Sequence, residues 1–430
     1  MSGHRARARI TWALAGGVLA GLLACAPSAP CGLRQCDIRQ PDCQRDNVRA
    51  TACLRGREPV DFPVTVKPQQ AFIDEAEREH FRTWQRGLAL LGLGDPDVTL
   101  TQSAVEQAAW VAAYYDPEGK AVTVIDGGQP LDSQEAVTVL VHEAMHALQD
   151  RTVGLAAFQD RFPDDLDRML ASRSVTEGEA SVIEDLAALG LFGGKDDDVA
   201  WGSVFGYWQS WSRQHAQRSP MPVYLAWGHF PYPYGTPYVQ AAYQEQALAG
   251  LDVVYAQPPA NAAQVLAGFG ASPPGGGAWS EELGDLSVPQ APAPWTYFDG
   301  DRLGAWVWTV FCDRLTTRAA VRGGAQALIR GRTSLRADRF SIVRDPGGQL
   351  LAAWRLRFDS AALATQLVTV LSADGWKVAA ADRDLVILGG NWPVEPAQVS
   401  FGPIPPASAL RSLSAARTHR CARRLDQVEN

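Results

Sequence analysis

The stretch His142-Glu143-Ala144-Met145-His146 is the feature that most restricts how this chain can fold. Histidines four residues apart lie on the same face of an α-helix, so both imidazoles can reach one metal ion. Residues 136–141 before the pair are apolar apart from one threonine, which predicts a buried helix. A capping box in residues 132–135 predicts its start, and Gly154 predicts its end. A buried helix that carries two histidines on one face is the expected setting for a metal site.

Glu177 is the candidate for a third metal ligand, because catalytic zinc usually takes three protein ligands and keeps one position open. It belongs to residues 174–180, which open a second helical pattern, and the carboxylate would lie one turn into that helix. The alternative is a solvent-facing acid that the helix dipole favours in a first turn. The sequence thus predicts Zn²⁺ bound by His142, His146 and Glu177. Glu143 is the predicted general base.

The chain resembles the gluzincin metallopeptidases in Glu177-Gly178-Glu179-Ala180, which matches a Glu-Gly-x-Ala sequence around the third zinc ligand of that family. More narrowly, it resembles a group of bacterial exported gluzincin-like proteins. These have a Tyr-Tyr-Asp-Pro hairpin, here at 114–117, before a His-Glu-x-x-His-Ala-Leu-Gln-Asp run, here at 142–150. The resemblance covers residues 70–270 well and the C-terminal third faintly. It implies a zincin-like catalytic domain and zinc-dependent hydrolysis of a peptide or protein substrate.

The spacing between the ligands departs from the thermolysin-like pattern. Thirty residues separate His146 from Glu177, which is longer than in those enzymes. This leaves Glu179 as an alternative third ligand. Residues two apart on a helix point about 200° from each other, so only one of the two glutamates can face the metal.

The resemblance also implies two features of substrate binding. Gluzincins use a tyrosine or histidine after the third ligand to donate to the oxyanion, and Tyr232 is the expected donor, with His229 and Tyr234 as alternatives. The strand at residues 121–125 would be an edge strand that pairs with a bound peptide. An ordinary core hairpin is the alternative for that strand.

The N-terminus predicts an exported lipoprotein. Three arginines among the first nine residues precede an apolar stretch, Ile10–Ala24, which is too short for a comfortable membrane span. Leu22-Leu23-Ala24-Cys25 resembles a lipobox, so Cys25 is the expected lipidation site and membrane anchor. Ala26 favours the outer membrane of the cell envelope. Plain signal cleavage and an uncleaved anchor helix are the alternatives.

The other cysteines agree with export into an oxidising compartment. Six remain: Cys31, Cys36, Cys43, Cys53, Cys312 and Cys421. Sequence alone does not choose among their 15 pairings. Disulfides are expected among the first four, with a zinc–cysteine site as the less favoured alternative, and Cys312 and Cys421 could tie the last segment back.

Composition and pattern set the fold class as α+β. The 430 residues are 46% hydrophobic and 20% charged, with a net charge of −8 and no basic stripe, so a nucleic-acid partner is not expected. The expected organisation is a signal peptide at 1–24, a lipidated Cys-rich lead segment at 25–65, a catalytic domain at 66–270, a Pro/Gly-rich linker at 271–294 and a smaller C-terminal α+β region at 295–430.

Local periodicity predicts individual elements. The predicted helices lie at 68–93, 301–330 and 360–373. The predicted strands lie at 114–115, 121–125, 339–343, 350–358, 376–380 and 385–388.

Two rival functions stay open beside a zinc peptidase. One is an inactive peptidase-like lipoprotein that binds peptide or envelope components, although such a protein has no chemical need for Glu143. The other is a zinc hydrolase that acts on a non-peptide substrate.

Overall fold

The chain folds as an α+β protein, which confirms the predicted class. The computed structural model describes residues 30–74, 79–99, 102, 105, 111–162, 165–196, 199–273, 279, 288–289, 295–316, 324–399 and 401–402. The predicted signal peptide, Cys25, Cys421 and most of the predicted linker at 271–294 lie outside the described residues.

The described helices are α1 (Pro41–Arg55), α2 (Gln69–Asp74), α3 (Glu79–Ala89), α4 (Gln134–Val153), α5 (Leu155–Gln159), α6 (Leu166–Phe192), α7 (Trp201–Arg218), α8 (Pro222–His229), α9 (Thr236–Gln246), α10 (Leu248–Ala256), α11 (Ala262–Ala267), α12 (Gly304–Thr316), α13 (Ala325–Ser334) and α14 (Ala361–Ala373). A π-helical turn, Pro231–Gly235, joins α8 to α9.

The described strands are β1 (Val64–Pro68), β2 (Ala113–Asp116), β3 (Ala121–Asp126), β4 (Val288–Pro289), β5 (Thr296–Asp301), β6 (Leu335–Arg344), β7 (Leu350–Phe358), β8 (Lys377–Ala381), β9 (Asp384–Gly389) and β10 (Phe401–Gly402).

The helix with the two histidines forms as predicted, but its cap differs from the predicted capping box. Ser133, rather than Asp132, caps α4 by accepting a hydrogen bond from the backbone of Ala136, and Gly154 ends the helix in the left-handed conformation, with φ of 71°. One side of α4 packs on the helices through Val141, Met145 and Leu148. Because the other side packs on a small sheet, α4 is buried over most of its length.

That small sheet has the order β1-β3-β2, with β3 parallel to β1 and antiparallel to β2. The predicted hairpin is therefore confirmed. The expectation that residues 121–125 form an edge strand for a peptide is wrong, because β3 is paired on both sides. The strand at residues 64–68, which the sequence pattern did not predict, covers the side of β3 that a peptide would have used. Tyr115 fastens β2 to α4 by donating a hydrogen bond to Asp150 at 2.8 Å.

The helix that carries Glu177 begins earlier than predicted. Asp165 caps α6 by accepting a hydrogen bond from the backbone of Arg168, so Glu177 lies in the middle of a 27-residue helix. The alternative of a solvent-facing acid in a first turn is therefore wrong, since the side chain is only 3% exposed.

The N-terminal segment is joined to this helical core. Disulfides connect Cys31 to Cys53 and Cys36 to Cys43, which confirms pairing among the first four described cysteines. These disulfides indicate an extracytoplasmic protein. Apolar side chains of α1 share a core with those of α4 and α6. In the described part of the chain, none of the helices combines the length and apolar character that crossing a bilayer requires.

The C-terminal region is built on an antiparallel sheet of order β5-β6-β7-β9-β8. The predicted strands and the predicted helix at 360–373 are confirmed, and the region 301–330 contains α12 and the start of α13. Alternate residues of β7 enter two cores, with Trp354 and Leu356 facing α12 and α14 while Ala353 faces the opposite side. Cys312 on α12 is buried and has no disulfide partner among the described residues, while the suggested partner, Cys421, lies outside them.

The two halves of the chain pack together. Trp84 of α3 lies against Phe340 of β6, with ring centroids 5.3 Å apart. Its indole N–H donates to Asp299 at 2.8 Å. In the other direction, Trp306 of α12 is buried in the helical core and donates to the carbonyl of Ala226. The predicted helix at 68–93 appears as α2 and α3, directly after β1.

Candidate metal centre

Three buried side chains from two helices converge on one point. His142 and His146 come from adjacent turns of α4, and Glu177 comes from the middle of α6. Their potential ligand atoms all lie within 4.8 Å of one another. One oxygen, Glu177 Oε2, lies 3.2 Å from Nε2 of His142 and 3.3 Å from Nε2 of His146. The structure thus brings together the three ligands that the sequence predicts.

Glu179 points away from this group, as expected for residues two apart on a helix. Its carboxylate binds Arg55 of α1, Gln149 of α4 and Tyr255 of α10. None of these three partners is a member of the group His142, His146 and Glu177. Of the two glutamates left open by the sequence, Glu177 is therefore the one placed to bind a metal.

Each histidine is held through its second ring nitrogen. Glu184 Oε2 lies 3.0 Å from Nδ1 of His142, and Gln149 Oε1 lies 2.8 Å from Nδ1 of His146. When Nδ1 donates a proton to such an acceptor, the lone pair of Nε2 is free to bind a metal. Both imidazoles are thus oriented with Nε2 toward Glu177.

The two histidines and Glu177 shift one another's pKa values. Burial alone lowers the pKa of His142, but hydrogen bonds with Glu177 and Glu184 outweigh it and raise that pKa well above the ordinary value. For His146, burial is likewise outweighed by Glu177, and its pKa is raised. Burial would raise the pKa of Glu177, yet the two histidines hold it well below the usual range. Protons therefore compete with a metal for the imidazole nitrogens.

The predicted catalytic residues lie beside this group. Glu143 is buried on α4 next to His142. The ring of Tyr232 lies 6.0 Å from the ring of His142, and its side chain is 41% exposed. Of the three candidates for the oxyanion donor, Tyr232 is the one whose ring lies next to His142.

The other two candidates lie in separate surroundings. His229 stacks on Trp211 at 5.4 Å between ring centroids, and burial lowers its pKa to about 4. Tyr234 is buried against Phe230 and Trp306. Both rings therefore have packing roles.

The turn that carries Tyr232 sits unusually close to α6. A Cβ added at Gly178 would lie 2.6 Å from the carbonyl oxygen of Gly235. A Cβ added at Gly235 would in turn clash with the backbone of Ser174. Glycine at both positions lets the turn approach the helix one residue away from Glu177.

The donor set fits catalytic zinc. Two imidazole nitrogens and one carboxylate form the three-ligand set that leaves a coordination position open. Both imidazoles have the outer hydrogen-bond acceptors that zinc-binding histidines require. These acceptors, Glu184 and Gln149, were missed by the sequence prediction. Gln149 lies three residues after His146, a spacing that places both on neighbouring turns.

Comparison of the chain with models of protein families, with curated proteins and with solved structures finds no match. The case for a metal centre therefore depends on the residues and their geometry.

Proposed function

We propose that this protein is a zinc-dependent peptidase that works outside the cytoplasm. The observation that carries the proposal is the convergence of His142, His146 and Glu177. Glu143 follows directly after His142 in the sequence. The resemblance to gluzincins supports peptide as the substrate, and the two disulfides support an exported protein.

In this proposal, some side chains bind the metal and others transfer protons or stabilise charge. Zn²⁺, when held by the three ligands, would act as a Lewis acid on the scissile carbonyl. Glu143 takes a proton from the attacking water and passes it to the leaving amine. The hydroxyl of Tyr232 donates a hydrogen bond to the oxygen that becomes negative. Glu184 and Gln149 hold the imidazoles in the orientation that this chemistry needs.

The test combines metal analysis with a substrate profile. Protein purified without chelator should contain about one zinc per chain. A peptide library should be cleaved, and a chelator should abolish the cleavage until zinc is restored. Absence of zinc would contradict the metal site. Zinc without cleavage of any peptide would favour the inactive binding protein, and cleavage of ester or amide probes alone would favour a non-peptide substrate.

We also propose that Cys25 anchors the mature protein to the membrane. Intact-mass analysis of membrane-extracted material should show Cys25 as a blocked, acylated first residue. An N-terminus at Ala26, or an intact Met1, would contradict the lipid anchor and leave the metal site unaffected.

A further inference from the structure

We infer that Gln149 is a positioning residue for His146, and that Arg55 of the disulfide-bonded helix α1 supports it through the carboxylate of Glu179. This inference rests on the proposed function, because it concerns how the same metal site is held. On this inference, the N-terminal segment helps to hold the metal site in place through Arg55.

The hydrogen bonds of Gln149 determine which way its amide points. Its Nε2 lies 2.8 Å from the carbonyl oxygen of Thr176 and 2.9 Å from Oε2 of Glu179. Both partners are acceptors, so this end must be the amide NH₂ group. The other end, Oε1, then accepts from Nδ1 of His146 at 2.8 Å. The proton is thereby kept on Nδ1, and Nε2 is left to bind the metal.

Glu179 is the centre of this arrangement. Its side chain is only 1% exposed, and such a carboxylate requires compensating charge and hydrogen bonds. Arg55 supplies the charge at Oε1, while Gln149 and Tyr255 donate to Oε2. Burial, followed by the charge of Glu179, raises the pKa of Tyr255 well above its ordinary value, so its hydroxyl stays a donor.

Arg55 is the last residue of α1, and its guanidinium contacts Glu179. Its side chain is 5% exposed, and it also binds Asp252 of α10 at 2.7 Å. Cys53 lies two residues earlier on the same helix and is bonded to Cys31. The disulfide therefore constrains the part of α1 from which Arg55 extends, and four helices meet at one carboxylate.

The experiment measures metal affinity and coordination in the full mature chain. Zinc is titrated in competition with a chromophoric chelator, and cobalt is used to record the absorption spectrum of the bound metal. Gln149→Met removes the acceptor at similar size, and Arg55→Met removes the charge. The matched controls are Gln134→Met at the start of α4 and Arg45→Met on the exposed side of α1.

Gln149→Met should weaken zinc binding by about 10- to 100-fold and change the cobalt spectrum, because the ring of His146 loses its orientation. Arg55→Met should weaken it by about 10-fold. Adding Glu179→Gln to Arg55→Met removes the unbalanced charge and should restore part of the affinity. Both controls should stay within about twofold of the wild type, where surface changes usually lie.

The outcomes separate this inference from the proposed function. If Gln149→Met binds zinc as tightly as the wild type while His146→Ala does not bind it, the positioning role is wrong and the metal site stands. If the wild type and His146→Ala bind zinc equally weakly, the proposed site fails and the inference fails with it. If Gln149→Met does not fold, the test depends on Arg55→Met and on the double variant that also carries Glu179→Gln. Wild-type zinc affinity in both of these variants would overturn the inference.

Discussion

At the scale of single residues, the site depends on a division of roles among acids that look alike in the sequence. Glu177 joins the two histidines of the candidate metal site, and Glu143 is buried beside His142, whereas Glu179 and Glu184 bind the residues that surround the site. Each role follows from the partners of the carboxylate and from the helix face that it occupies. Substitutions that preserve size should therefore separate catalysis from metal binding.

Glu143→Gln should keep zinc and lower peptide hydrolysis by at least about 10²-fold, because an amide cannot accept the proton of the attacking water. Elemental analysis and kcat/KM on a cleaved peptide measure the two effects. Glu135→Gln, at the exposed start of the same helix, is the control and should leave both unchanged. Wild-type hydrolysis by Glu143→Gln would show that Glu143 is not the base.

Tyr232→Phe should lower kcat by about 10²- to 10³-fold, the range for loss of one oxyanion donor, with little change in KM. The hydroxyl is lost but the ring that packs beside His142 remains. Tyr207→Phe, at a tyrosine that is 64% exposed on α7, is the matched control. An unchanged kcat in Tyr232→Phe would mean that another group donates to the oxyanion.

At the scale of elements, the site depends on how closely α6 meets the turn at Pro231–Gly235. Gly178 and Gly235 allow backbone to approach backbone, and this contact sets the position of Tyr232 relative to Glu177. The Glu-Gly-x-Ala sequence therefore combines the candidate ligand Glu177 with a glycine that permits close packing. Larger side chains at Gly178 should push the turn away.

Gly178→Ala should destabilise the protein by about 1 to 3 kcal/mol through overpacking, and should also lower kcat by displacing the turn. Thermal unfolding of the metal-free protein and steady-state kinetics measure the two effects. Gly202→Ala is the control, because a Cβ there meets no atom within 4 Å. If Gly178→Ala is as stable and active as Gly202→Ala, the close approach does not position the turn.

At the scale of the whole molecule, buried carboxylates lie where the N-terminal end of α6 meets the C-terminal sheet. Asp301 accepts a hydrogen bond from the backbone of Leu166, and Asp167 accepts one from Ala262. Burial, with repulsion from Asp165 and Asp338, raises the pKa of Asp167 to about 8. Burial also raises the pKa of Asp301 to about 7.

These shifts predict lower stability at alkaline pH. A folded-state pKa above the unfolded value means that the folded state binds more protons than the unfolded state. The contribution of these two carboxyl groups to stability is therefore fully present below about pH 4 and is lost as pH rises through about 7 to 8. The metal-free protein should therefore unfold at lower temperature at pH 8 than at pH 5. Each pKa unit is worth about 1.4 kcal/mol.

Asp167→Asn should flatten this pH dependence, because the amide oxygen can still accept from Ala262 without carrying a charge. Thermal unfolding of the variant and of the wild type between pH 5 and pH 8 measures this change in pH dependence. Asp382→Asn, at an exposed position with φ of 53° that asparagine tolerates, is the control and should keep the wild-type slope. A wild-type slope in Asp167→Asn would show that other groups cause the pH dependence.

The sequence by itself determined the elements whose signals are local. Histidine spacing and caps located α4, turn residues located the hairpin of β2 and β3, and alternation located the C-terminal strands. Tertiary structure decided the rest, because it depends on residues far apart in the chain. Because β1 pairs with β3, β3 lies inside its sheet and not at an edge. Because α6 begins at Leu166, Glu177 lies in the middle of that helix, where it is buried. Arg55 and Glu179 are 124 residues apart, so no local pattern in the sequence connects the disulfide-bonded helix α1 to Glu179 and Gln149.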